Sequence, residues 1–72
     1  MVFEWSQRRG HWVMYVYING GDWSTYTSAG SYILSGGPPF LWRKHPRSVA
    51  HELQATTVDE AKACLEVIAR MG

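Results

Sequence analysis

The chain has 72 residues and a net charge of +1, from seven Lys and Arg against six Asp and Glu. That length allows one domain with one core, in a size range where stability is commonly supplemented by disulfides, metal or self-association. A single cysteine, Cys64, rules out an intramolecular disulfide, and no Cys/His group has metal-ligand spacing. Stability must therefore come from packing ten aromatics or from a partner chain.

All ten aromatics lie in the first 42 positions, ahead of a tail rich in Ala, Leu and Glu. Aromatic and β-branched residues suit a pleated, half-buried surface, whereas Ala, Leu, Lys and Glu lose little freedom in a helix, so a sheet is expected over 1–55 and a helix over 57–71. Val2 to Ser6 reads as the first strand, followed by a polar, basic turn at Gln7-Arg8-Arg9-Gly10. From His11 to Ile18 two apolar sets alternate: Trp12, Met14, Val16 and Ile18 on one face, Val13, Tyr15 and Tyr17 on the other. A strand apolar on both faces is central, and is covered on both or keeps one face for a partner.

Asn19-Gly20-Gly21-Asp22 is a hairpin signal, because Asn-Gly readily takes the positive φ angles that suit twisted strands. Trp23 to Ser28 then reads as an antiparallel strand, Ala29-Gly30 as a second tight turn and Ser31 to Ser35 as a further strand. Gly36-Gly37-Pro38-Pro39 ends it, so that Phe40-Leu41-Trp42 is either a short edge piece or a loop folding its aromatics back onto the sheet. Arg43-Lys44-His45-Pro46-Arg47 is an exposed basic loop, and Val49 to Ala55 can form a last strand. Thr57 and Glu60 are spaced as a capping box at the helix start. Val58, Ala61, Cys64, Leu65, Ile68 and Met71 share one helical face, while Asp59, Glu60, Lys62, Glu66 and Arg70 fall away from it, Glu66 and Arg70 as an i,i+4 pair. One apolar stripe implies one partner surface. The pattern predicts an α+β domain, a four- or five-stranded antiparallel meander with one C-terminal helix across the Trp12, Met14, Val16 and Ile18 face, leaving the Tyr15 and Tyr17 face without a helix.

The candidate chemistry is thin. His11, His45 and His51 each stand without a carboxylate or second ligand at a useful spacing, and Cys64 sits on the apolar stripe as a small hydrophobe. Ser28, Ser31 and Ser35 lack the strand-to-helix elbow of a nucleophilic serine, and Gly36-Gly37-Pro38-Pro39 lacks the Lys-Ser/Thr and helix of a phosphate loop. No catalytic residue, metal or cofactor is expected, and the function classes left are those of binding. Two constellations carry that reading. Trp42 with Arg43, Lys44 and Arg47, together with Arg8, Arg9 and His11, joins aromatic and cationic groups of the kind that stack on bases and follow phosphates. Tyr15 and Tyr17, with whatever aligns beside them from Trp5, Trp23 or Tyr26, offer stiff amphipathic area typical of binding hot spots. The competing reading is that Phe40, Leu41 and Trp42 fold back over that face, and a homodimer burying it is a third option.

The layout, with a tryptophan-containing sheet before a helix that opens Thr57-Val58-Asp59-Glu60-Ala61-Lys62-Ala63, resembles small accessory proteins of bacteriophages and prophages. More loosely it resembles three-stranded sheet-plus-helix DNA-binding domains of plants and of integrase N-terminal arms, with Arg8, Arg9, Trp12 and the Glu60-Ala61 helix as matching positions. The strands lack the regularly placed arginines with which such domains read the major groove. The phage resemblance implies a protein that binds and inhibits or redirects a host protein or nucleoprotein complex, such as a CRISPR effector, another defence complex or RNA polymerase. The expected partner surface is Tyr15, Tyr17, Trp42, Arg8, Arg9, Arg43, Lys44 and Arg47. A sheet-based nucleic-acid-binding module using the same residues is the alternative. Nothing in the chain reads as a signal peptide, and its longest apolar stretch, Trp12 to Ile18, is far short of the roughly 20 residues that span a bilayer. The setting expected is therefore soluble and cytoplasmic, that of the bacterial host for a phage protein, with no membrane partner.

Overall fold

Period-two alternation in the first half of the chain builds an antiparallel meander, described for residues 1–19 and 26–71 in a computed structural model. The strands are β1 (Val2–Arg8), β2 (His11–Asn19), β3 (Tyr26–Gly36), β4 (Phe40–Arg43) and β5 (His51–Leu53), followed by helix α1 (Val58–Met71). They form one sheet in the order β1-β2-β3-β4-β5, every neighbouring pair antiparallel. The expected turn at Asn19–Asp22 and the start of the expected Trp23–Ser28 strand fall in 20–25, outside the described residues; β2 and β3 pair up to Asn19 opposite Tyr26.

Two local expectations are corrected. Ala29-Gly30 is not a turn: β3 runs through it, with Val16 opposite Gly30 and Tyr17 opposite Ser28, so Ala29 is the extra residue of a β-bulge. The glycine read as a turn signal serves the bulge instead, at φ +126°. Phe40–Arg43 is neither loop nor edge, because β5 pairs with its far side, Phe40 opposite Leu53 and Trp42 opposite His51. The prolines stay out of the ladder in the β3–β4 turn, where the Pro38–Pro39 bond is cis. That turn also needs its glycines: a Cβ on Gly36 (φ +81°) would come within 2.7 Å of the Pro39 carbonyl oxygen, and one on Gly37 (φ +137°) within 2.7 Å of the Phe40 ring.

One face of the sheet and one stripe of α1 form the core. Met14, Val16, Tyr32, Leu34, Phe40 and Leu53 are buried against Ala61, Leu65 and Ala69, with Phe3, Trp5, Trp12, Trp42, Val58, Cys64 and Ile68 packed around them. The helix is turned slightly from the expected stripe: Ala69 is buried, while Met71 is 83% exposed. Small residues at 61 and 69 let the backbone approach the sheet, and Leu65 fills the space between. The rotation also brings in a row expected to face water. Trp5 Nε1 donates to Glu66 Oε2 at 2.8 Å, Lys62 Nζ lies 5.3 Å from the centre of the Trp5 ring, and the Arg70 guanidinium lies 5.2 Å from that of Phe3. Glu66 and Arg70, expected as a pair along the helix, thus each reach an aromatic of β1. At the helix start the Glu60 N–H donates to Thr57 Oγ1 at 3.2 Å, as a capping box requires, but the Glu60 carboxylate reaches back to the N–H and hydroxyl of Thr56.

This packing predicts that Leu65→Ala lowers unfolding free energy by about 2–5 kcal/mol, whereas Met71→Ala changes it by less than about 0.5 kcal/mol. Urea denaturation followed by tryptophan fluorescence checks both; equal effects would place the helix in the other rotation.

Candidate functional site: the open sheet face

The strand registers decide which residues share the face away from α1. Pairing across β1–β2 sets Val2 beside Tyr17, Glu4 beside Tyr15, Ser6 beside Val13 and Arg8 beside His11. Across β2–β3 it sets Tyr15 beside Ser31, Val13 beside Ile33 and His11 beside Ser35, and β3–β4 adds Arg43 beside Ile33 and Leu41 beside Ser35. Cross-strand partners lie on the same face, so these residues line one surface. None of them is buried. Val13, Tyr15, Tyr17, Ile33 and Leu41 are half-buried, and α1, the one helix among the described residues, packs on the opposite face. The fold-back of Phe40, Leu41 and Trp42 onto this surface does not occur, because all three are strand residues.

The bulge changes what the face contains. A β3 strand without the extra residue would place Tyr26 in phase with Tyr32, on the helix side; Ala29 shifts the alternation, so Tyr26 joins Tyr17 on the open side. Val2, Glu4, Tyr17 and Tyr26 line one shallow concavity there. Tyr26 is 53% exposed and Val2 44%. Three tyrosines therefore run along one lane, Tyr26 being the one of Trp5, Trp23 and Tyr26 that the described residues place beside Tyr15 and Tyr17.

The opposite end of the lane is cationic. Arg8 Nη2 donates to the Tyr15 hydroxyl at 3.1 Å, which lays the guanidinium along the face. His11 Nδ1 lies 3.2 Å from the Arg9 carbonyl oxygen; since a carbonyl only accepts, Nδ1 carries the proton and Nε2 is the ring's remaining acceptor when neutral. Arg43 Nη1 donates to the Pro46 carbonyl at 3.3 Å, and the loop carrying that carbonyl is itself held by Ser48 N–H to His45 O at 2.9 Å and Arg47 N–H to His45 Nδ1 at 3.2 Å. The turn after β1 and the loop after β4 flank the same depression of about 290 Å³, lined by Gly10, His11, Ile33, Ser35, Arg43 and Pro46. Two basic segments more than thirty residues apart in sequence thus meet at one end of the sheet.

The expected partner residues do not all join. Tyr15, Tyr17, Arg8 and Arg43 lie on the open face, with Arg9 and Arg47 exposed in the turn and loop beside it. Trp42 and Lys44 belong to the other side. Trp42 pairs with Leu34 and stacks on His51 at 4.7 Å between ring centres, with Tyr32 tilted against it at 5.8 Å. Lys44 Nζ lies 5.8 Å from the centre of the Tyr32 ring. Alternation along β4 made this separation readable once Phe40–Arg43 was known to be a strand. Ile33, Ser35 and Leu41 enter the site only through the register, whereas alternation along β2 already sets Val13 beside Tyr15 and Tyr17, and His11 belongs to the expected basic group.

Among the described residues no cluster of three or more His, Cys, Asp or Glu could hold a metal ion, and no helix is long and apolar enough to cross a membrane. Comparisons with protein-family models, curated proteins and solved structures return no match for this chain. The placement predicts that Trp42→Ala destabilises the fold by more than about 1 kcal/mol, because it opens the Tyr32–Trp42–His51 stack, while Tyr17→Ala stays within about 1 kcal/mol of the parent. Thermal melts of the two variants side by side provide the check.

Proposed function

We propose that this chain is a non-catalytic binding protein that engages its target through the open sheet face, as a phage-type accessory factor acting on a host nucleoprotein complex. The observation that carries the reading is the uncovered lane of Tyr15, Tyr17 and Tyr26 on a sheet whose other face packs against α1. Uncovered aromatics held on a rigid sheet lose little conformational freedom on binding, so they suit a contact surface better than a substrate pocket does. The concavities on this face are shallow, and the polar groups around them are Arg43, His11, Ser35, Glu4 and the tyrosine hydroxyls of Tyr17 and Tyr26. A CRISPR effector, another defence complex and RNA polymerase are the host machines that the phage resemblance brings forward.

The test compares the parent chain with a Tyr15→Ala, Tyr17→Ala double variant in capture from bacterial lysate, with Val67→Ala on the outer side of α1 as control. The expected outcome is an unchanged circular dichroism spectrum for both, retained capture by the control and at least tenfold loss of the specific partner by the double variant. Equal capture by the double variant would remove the open face as the binding surface.

A further inference from the structure

The cationic end and the tyrosine lane are continuous, and that continuity points to the chemistry of the partner. Arg8, Arg9, His11, Arg43 and Arg47 stand at or beside the end of the sheet where the first turn and the loop after β4 meet. From there Val13, Tyr15 and Tyr17 descend along β2, with His11 and Tyr17 about 20 Å apart at the rise of an antiparallel strand. Two carboxylates also stand on this face, and Glu4 lines the same concavity as Tyr17 and Tyr26. Glu4 borders the lane on β1 opposite Tyr15, and Glu52 stands on β5, two strands away from Ser35 across Leu41.

We propose that the open face takes a single-stranded nucleic acid, with phosphates at the Arg8, His11 and Arg43 end and unpaired bases on Tyr15 and Tyr17. This rests on the open face being the binding surface and names its ligand. Charge complementarity selects an anion for the end with the arginines, and the aromatic lane selects an anion that carries flat, stackable groups in series. Tyr15 and Tyr17 are two positions apart along β2, about 7 Å, so successive rings can each receive a base of an extended strand. A duplex offers no such groups, since its bases are stacked on one another and withheld from the tyrosines. A protein partner would be served by the tyrosines but gives no reason for two basic segments to converge at their end. The register also divides cations that the sequence groups together: Arg43 is on the ligand side and Lys44, over Tyr32, is on the other.

The experiment is a titration of the purified full chain with fluorescein-labelled single-stranded DNA and RNA oligonucleotides of mixed sequence and with the matching duplexes, read by anisotropy at several salt concentrations. Saturable single-strand binding is expected, weaker for duplex, with log K falling as log salt rises by about 0.7 per phosphate neutralised. Arg43→Ala and Arg8→Ala should each weaken binding and flatten that slope by about 0.7, and Lys44→Ala should leave both unchanged. Tyr15→Ala and Tyr17→Ala should weaken binding roughly ten- to hundredfold with the slope retained. Arg43→Lys, which keeps the charge, should retain the parent slope and separates lost charge from a disturbed loop. Absence of single-strand binding at low salt would overturn the nucleic-acid assignment; so would equal duplex binding, or Lys44→Ala weakening affinity as much as Arg43→Ala. In those cases the lysate comparison still decides the wider reading: capture of a nuclease-resistant protein that depends on Tyr15 and Tyr17 would keep the open face as a protein-binding surface, and capture indifferent to both tyrosines would end that reading as well.

Discussion

A single helix facing five strands is the constraint on which the molecule depends. A 14-residue helix is about 21 Å long and can bury one face of a sheet at most, so alternation along each strand sorts every side chain into covered or open. The contact is made by Leu65 between Ala61 and Ala69, against Met14 and Leu34, all five with almost no exposure. Enlarging either alanine would lift the helix from the sheet. Phe3 and Trp5 lie at the margin of that contact, and there the helix supplies Lys62, Glu66 and Arg70, whose aliphatic stems extend the apolar cover while their polar ends meet an indole N–H and two ring faces. Polar residues that sequence periodicity assigns to solvent thereby fasten the edge strand.

The helix is also too short to cover the length of the sheet. The described molecule has extents of 40 × 22 × 21 Å, and β3, with 11 residues at about 3.3 Å each, is longer than the 14-residue helix at about 1.5 Å each. Ile18, on the helix side of β2 by alternation, is consequently 46% exposed, although the same alternation buries Val16 and Met14. An apolar residue on the covered face of a strand is therefore not equivalent to a core residue; the cover has to reach it.

Much of this arrangement was legible in the sequence, for identifiable reasons. The split between aromatic and helix-forming halves and the two-faced alternation over His11–Ile18 are local signals that appear as read, and the Thr57–Glu60 cap forms with the Glu60 carboxylate returning to Thr56. The errors came where one residue type serves two backbone roles. Gly30 after Ala29 reads as a turn because positive φ is common in turns, yet the same freedom permits a bulge inside an unbroken strand, and only the pairing of Tyr17 with Ser28 distinguishes them. Pro38 and Pro39 argued against a ladder beyond them, but they occupy the turn, and Phe40 pairs on both sides. The site suffered from the same limit. Arg8 and Arg43 are individually conspicuous, but their shared face depends on three intervening strand registers, and Trp42 is available only if Phe40–Trp42 is a loop or an edge, which the pairing with β5 excludes.

The bulge shows how a one-residue irregularity shapes a surface without altering the topology. It leaves β2 and β3 paired on both sides of Ala29, so the sheet retains its stiffness, while reversing which side Tyr26 faces. The covered face loses a tyrosine at a position where the helix does not extend, and the open face gains one beside Tyr17. The same residue would be uncovered in either case, so core stability gives no preference between the two. What differs is its company: alone beyond the end of α1, or third in a row of tyrosines leading from the basic end of the sheet. A row held on paired strands has its spacing fixed by the ladder, so the bulge changes which side chains are neighbours without loosening the backbone that carries them.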